Sequence, residues 1–143
     1  HCPFVIHINQ ALVNTANLYQ EKGINFIAIS SNDIEKYPQD SPEKMKLHAL
    51  DTGYSFPYLY DETQEVAKAY DAACTPDFYL FDSNLKLVYR GQMDASRPEN
   101  GLKNDASDLI HAMECLIKKT PNEAVQKPSI GCNIKWKPTN LPS

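Results

Sequence analysis

The sequence predicts an α/β layered sandwich with an extended C-terminal segment. Three observations predict it. Helix-periodic and strand-like stretches alternate along the first half of the chain and give way to a hairpin. A Thr75-Pro76 step separates a helical stretch from the strand-like run 77–82. From Thr120 onward the chain is proline-rich and has no helical period. At 143 residues, with 42% of them hydrophobic, the chain suits one domain with a modest core.

The elements follow in order. From residue 3 to about 22, Phe4, Ile8, Ala11, Leu12, Thr15 and Leu18 approximate helical spacing, and Gly23 supplies a stop. Residues 24–30 are rich in β-branched side chains and nearly continuous in apolar character, as expected of a buried parallel strand. The polar stretch 31–40 is a loop. Ser41-Pro42-Glu43 combines a capping hydroxyl, a proline that loses no hydrogen bond in a first turn and an acid favoured by the helix dipole. That helix is expected to end near Gly53. Residues 56–60 read as an edge strand, because Pro57 cannot donate to a ladder. Asp61 and Gln64 resemble a capping box opening a helix through about Ala72. The runs 78–81 and 85–89, separated by Asp82-Ser83-Asn84, read as an antiparallel hairpin. A last helix over about 105–118 places Leu109, Ala112, Met113, Leu116 and Ile117 on one face. Residues 1–119 are thus expected to form the domain and 120–143 a tail packed on it.

A net charge of −4 and a pI near 5.5 leave no basic footprint for nucleic acid. No apolar run approaches the roughly 18 residues of a membrane span, and no signal-peptide pattern is present. Four cysteines with no Cys-x-x-Cys pair among them fit neither a zinc ribbon nor a dense disulfide scaffold. Redox or free-thiol use in a cytoplasmic, reducing compartment is the simpler expectation, with a cleaved leader compatible with the same residues.

Several stretches carry a resemblance to a known family: His-Cys-Pro-Phe-Val (1–5), Ser-Asn-Asp (31–33), Tyr-Pro-Gln-Asp-Ser-Pro-Glu (37–43), Phe-Pro-Tyr-Leu (56–59) and Cys-Thr-Pro-Asp-Phe (74–78). Tyr-Arg-Gly-Gln-Met-Asp-Ala-Ser-Arg-Pro (89–98) and Gly-Cys-Asn-Ile-Lys-Trp-Lys-Pro (131–138) extend it over nearly the whole chain. The chain resembles a bacterial peroxiredoxin-like family of the alkyl hydroperoxide reductase/thiol-specific antioxidant type. The resemblance implies a thioredoxin-like fold, a three-layer α/β/α sandwich in which Thr75-Pro76 forms a cis-proline loop facing the start of the first helix. In that family Cys-Asn usually precedes the opening residues, which would make Cys2 the second cysteine of Cys-Asn-His-Cys, and a strand leads into the first helix from inside the sheet. That N-terminal strand lies outside this sequence, so preceding residues or a partner segment are expected to fill its place, because buried strand edges left unpaired are costly.

Cys2 and Cys74 are the candidate catalytic residues. Cys2 directly precedes Pro3, so its sulfur is expected at a helix N-terminus, where free amides and the dipole favour thiolate over thiol. The resemblance leaves it two roles. As the second cysteine of a Cys-x-x-Cys pair it would resolve a mixed disulfide. In typical peroxiredoxins, however, the peroxide-reactive cysteine aligns with this position and is followed by Pro. Cys74 is a candidate to resolve a sulfenic acid or take a disulfide from Cys2, and equally reads as a small residue behind a tight loop. Pro3, Thr75, Pro76 and Arg97 are the candidate substrate-binding residues. Arg97, with Arg90 and Asp94 in the same loop, would depress a thiolate pKa or orient a peroxide or carboxylate, and pairing of Arg97 with Asp94 is the plainer reading. Cys132 is a candidate third redox partner if the tail folds back across the site. Alternatively, Ile134 and Trp136 clamp the tail and Cys132 is incidental.

Cys115 reads as core with no polar companion, His48 and His111 as surface or helix-face residues, and Tyr37, Tyr54, Tyr58 and Tyr60 as packing around the loops. These readings imply a thiol-disulfide oxidoreductase or thiol-dependent peroxidase. A low-pKa thiolate would attack a protein disulfide or a hydroperoxide, a second cysteine would resolve it, and a cellular dithiol such as thioredoxin would reduce it. No organic cofactor or metal is required, and a homodimer is compatible. A non-catalytic binding module that holds a peptide on the cis-Pro surface is the alternative. A copper- or zinc-binding thiol protein using His1, Cys2 and His7 comes third.

Overall fold

Pro3 stands at the first position of helix α1 (Pro3–Gln20), where its missing N–H breaks no hydrogen bond, and the Cys2 carbonyl accepts the amides of Val5 and Ile6 at 3.1 and 3.0 Å. The computed structural model describes residues 2–141. After α1 come strand β1 (Ala28–Ser30), helix α2 (Pro42–Thr52), strand β2 (Tyr58–Tyr60) and helix α3 (Glu65–Ala69). Strands β3 (Cys74–Thr75), β4 (Phe78–Phe81) and β5 (Leu87–Gly91), helix α4 (Ser107–Lys118) and strand β6 (Cys132–Asn133) complete the order. β1 and β2 run parallel, with Ala28 opposite Tyr58. β4 and β5 form an antiparallel hairpin with an irregularity between Leu80 and Phe81. β3 and β6 pair antiparallel, setting Thr75 against Cys132 and Cys74 against Asn133. No helix among the described residues is long and apolar enough to cross a membrane.

The α/β layering follows from where the apolar faces meet. Ile8 and Tyr19 of α1, Leu80 and Tyr89 of the hairpin, and Leu109, Ala112 and Met113 of α4 form one buried cluster. Each such large side chain contributes about 1.5–3 kcal/mol of burial. The Tyr19 hydroxyl donates to Glu114 at 2.7 Å and joins α1 to α4. Ser41 Oγ accepts the Lys44 amide at the start of α2, and Gly53, at φ +83°, ends it in the left-handed conformation that glycine adopts without steric cost. His48 is the helix-face residue expected, on α2, and packs edge-on against Tyr54 and Tyr58, with Phe56 stacked on Tyr54.

Among the boundaries that differ from the sequence expectation, three have clear local reasons. The strand expected over 24–30 is reduced to Ala28–Ser30, because its ladder partner is only three residues long, and Ile24 and Phe26 pack against the core instead. The second hairpin strand begins at Leu87 rather than 85, because the Asp82 carboxylate accepts the amides of both Asn84 and Lys86 and Leu85 turns to φ +61°. The capping box is absent. Asp61 accepts the Val66 and Ala67 amides at 3.3 and 2.9 Å, whereas Gln64 lies at φ +65° and its side chain bonds elsewhere, so α3 starts at Glu65.

Between β5 and α4 the chain is held by one carboxylate. Asp94 accepts the Ser96 amide and hydroxyl at 2.8 and 2.6 Å, the Asn104 side-chain amide at 2.7 Å and the Ala106 amide at 2.8 Å. Burial alone would push this carboxyl up, but the hydrogen bonds outweigh it and hold Asp94 below the usual carboxylate value. Asp94→Ala strands buried donors and is expected to lower the unfolding free energy by about 2–4 kcal/mol, read from the urea midpoint. In the wild type the part of this contribution that needs the ionised carboxyl is fully present above the unfolded-chain value of about 3.9 and is lost as pH falls through the lower folded value. An unchanged midpoint in the variant contradicts the assignment.

Candidate active site

Cys2 is the N-cap residue of α1, and its side chain is only 5% exposed. Its sulfur lies 3.5 Å from the Thr75 carbonyl oxygen and 2.7 Å from the Cys132 sulfur. The Thr75–Pro76 peptide bond is cis. Burial pushes the Cys2 thiol up, but the Cys132 thiol, the Thr75 side chain and the Val5 amide at the helix start favour the anion more strongly, so the net direction is downward. Among the described residues the buried Thr75 hydroxyl has no hydrogen-bond partner, which leaves it available to a charged sulfur.

Cys132 moves the opposite way. Burial, the hydrogen bond to Cys2 and the neighbouring negative charge all raise its pKa. The pair therefore loses its first proton from Cys2 while Cys132 keeps its own. Burial and the charge of Asp77 also raise Cys74, whose thiol donates to the Pro76 carbonyl at 3.7 Å. The site thus brings Cys2, Thr75 and Cys132 together and turns the Cys74 sulfur toward its own loop.

Cys132 arrives on the tail. β6 pairs with β3, and Gly131 passes so close to Thr75 that a Cβ there would sit 2.0 Å from the Thr75 carbonyl oxygen. Beyond β6, Ile134 is buried, the Lys135 amide donates to Asn32 Oδ1 at 2.9 Å, and the Lys135 carbonyl accepts the Asp33 amide at 2.7 Å. Gln64 fixes the next turn. Its side-chain amide donates to the Ser31 and Lys135 carbonyls at 2.6 and 3.0 Å, and its Oε1 accepts from the Lys137 amide and Asn140 at 2.9 and 3.0 Å. With all these bonds made, Gln64 is 0% exposed. Sequence reasoning missed both residues. Gly131 ahead of Cys132 is a signal for close approach, whereas the capping-box pattern of Asp61 and Gln64 hides that the Gln64 side chain bonds to the tail rather than to its own helix.

The remaining candidates surround this pair. Pro3 is exposed at the first turn of α1. Pro76 and Arg97 line a cleft with Phe4, His7, Phe78 and Ser129. Arg97 donates to the Asp94 and Ser96 carbonyls and to Gln92 Oε1, and its Nε is buried without a partner among the described residues. The expected Arg97–Asp94 pairing thus runs through the Asp94 backbone, because the carboxylate is occupied by Ser96, Asn104 and Ala106. Ser96 commits its proton to Asp94, so His7 Nε2 donates to Ser96 Oγ, at 3.0 Å. Arg90 lies on β5 rather than in the loop after the hairpin, over the Tyr79 ring and 3.5 Å from Asp77. Cys115 has a polar companion after all, His111 Nε2 at 3.7 Å one helical turn away. His1 lies outside the described residues, among which no group of three or more His, Cys, Asp or Glu side chains converges on a metal-sized site.

A cysteine at the start of a helix, set against a cis-proline loop in an α/β sandwich, defines a thioredoxin-like protein. The family model Redoxin matches residues 1–106, and the chain belongs to that family. Two crystal structures are similar to it over 96% of its length, both with a TM-score of 0.95. One is an uncharacterized conserved protein from Geobacillus kaustophilus, 62% identical, of which the match covers 73%. The other is a hypothetical protein from Sinorhizobium meliloti 1021, 46% identical, of which it covers 75%. No curated protein matches. The family model gives a thioredoxin-like fold of the peroxiredoxin-like type, and the two neighbours share the fold.

The Gly131 contact makes a direct prediction. Gly131→Ala cannot keep β6 on β3 without a backbone shift, so the tail opens more often, and trypsin is expected to cut after Lys135 roughly tenfold faster or more while the domain stays folded. An unchanged cleavage rate contradicts the close docking of the tail.

Proposed function

We propose that this chain is a thiol oxidoreductase in which Cys2 is the reacting group. As a thiolate it attacks one sulfur of a disulfide, releasing the other as thiol, or the terminal oxygen of a hydroperoxide, releasing an alcohol or water and leaving Cys2 as sulfenic acid. A cellular dithiol such as thioredoxin then supplies two electrons and returns Cys2 to the thiol. The observation that carries this reading is a cysteine sulfur at the start of α1 whose surroundings favour the anion despite burial. Family membership supports redox chemistry of this general kind. The helix amides and the neighbouring thiol favour the anion without a positive side chain among the described residues. A passive peptide-binding scaffold finds less support, because the backbone edge beside Pro76 already carries the chain's own tail.

The test is the pH dependence of alkylation at each cysteine, followed by peptide mass mapping. Cys2 is expected to gain reactivity through a midpoint below the ordinary thiol value of about 8.5 and to level off above it. Cys74 and Cys132 are expected to gain reactivity only above that value. Cys2→Ser is expected to remove peroxide- and disulfide-reducing turnover by two orders of magnitude or more, roughly the loss of an essential nucleophile. A Cys2 that titrates at or above the ordinary value contradicts the proposal.

A further inference from the structure

We propose that residues 131–137 are a tethered substrate strand: they fill the backbone edge beside the Thr75-Pro76 loop and deliver Cys132 as the thiol that resolves Cys2 once Cys2 has reacted with a hydroperoxide. This rests on the reading of Cys2 as the reactive thiol. Three separate observations carry it. The two sulfurs are 2.7 Å apart, about 0.7 Å beyond the covalent S–S length of ~2.05 Å. The strand that brings Cys132 occupies β3 in a defined register, the way an extended peptide adds to a free edge, and only a glycine at 131 permits the approach. Finally, the strand is locked beyond the site by Asn32, Asp33 and the four bonds of Gln64, far more anchoring than an incidental tail contact needs.

The chemistry balances with a hydroperoxide as oxidant. Cys2 thiolate attacks the terminal oxygen, the O–O bond breaks, and the leaving alkoxide or hydroxide takes a proton. Cys132 sulfur then attacks the sulfur of Cys2 sulfenic acid. The S–O bond breaks, hydroxide leaves with the proton that Cys132 held, and water and the Cys2–Cys132 disulfide result. An external dithiol returns two electrons and two protons. The order of ionisation suits these roles, since the first thiolate forms on Cys2 and the resolving thiol stays protonated until its turn. While the strand is docked, a polypeptide disulfide has no edge to pair with, so a small hydroperoxide is favoured over a protein substrate.

The test gives the intact, reduced protein one equivalent of hydrogen peroxide, blocks free thiols and maps the peptides without reduction. The expected product is a single Cys2–Cys132 crosslink. In Cys132→Ser, Cys2 is expected to persist as a sulfenic acid that dimedone traps, with Cys2 crosslinking at least roughly tenfold slower. Gln64→Leu removes the anchor without touching either sulfur. Provided its cooperative melting is retained, Cys2 is expected to alkylate faster and to crosslink more slowly, a divergence that loss of general stability does not produce. Cys2 sulfenic acid that persists in the wild type beside free Cys132, or a disulfide from Cys2 to any other cysteine, overturns the strand's role and leaves the reactive-thiol reading standing. A Cys2 that takes up no oxidant in any of these proteins overturns both.

Discussion

Two residue pairs of backbone, Thr75 with Cys132 and Cys74 with Asn133, hold the site together. Without that short ladder the Cys2 sulfur would lose its covering partner, the Thr75 carbonyl would face solvent, and the tail would have nothing to follow to Asn32 and Gln64. A two-residue ladder is weak by itself. It persists because both of its strands are fixed elsewhere: β3 by the loop into the hairpin, and β6 by the bonds that bury Gln64 beyond it. The constraint runs from backbone geometry to chemistry, since the register that satisfies the ladder also sets the Cys132 sulfur on Cys2.

The same economy of parts shows in the electrostatics. Among the described residues no lysine or arginine charge helps the Cys2 anion, and what favours it is a helix start and hydrogen-bonding neighbours. Arg97, the obvious candidate cation, is instead committed to the loop that Asp94 organises, which shapes the cleft beside Pro76. Asp94 therefore acts on the site indirectly, by fixing where Arg97, Ser96 and His7 stand.

Much of this was legible in the sequence, and the failures have physical reasons. Pro3 after Cys2, Ser41-Pro42, Gly53 and the amphipathic run ending at Lys118 are local signals, and the helices they predict are present. The family resemblance pointed to the Redoxin assignment and to the thioredoxin-like fold. Strand lengths were less legible, because a ladder is set by its partner: residues 24–27 have the composition of a strand but make no ladder. Gln64 carried the pattern of a capping box, yet a buried amide with four partners across the chain outweighs a local cap, and no spacing rule reveals partners 70 residues away. Asp94 and Arg97 lay close enough in sequence to suggest a pair, but the carboxylate had nearer amide donors.

Cys132 can meet Cys2 from a fixed position only if the tail strand is part of the fold in the reduced protein. Amide hydrogen exchange at single-residue resolution tests this most directly. The amides of Lys135 and Lys137, bonded to Asn32 and Gln64, are expected to exchange far more slowly than that of exposed Val125 earlier in the same tail. Exchange of all three at the rate of an unstructured peptide would contradict the account, since Cys132 would then have no fixed position from which to meet Cys2.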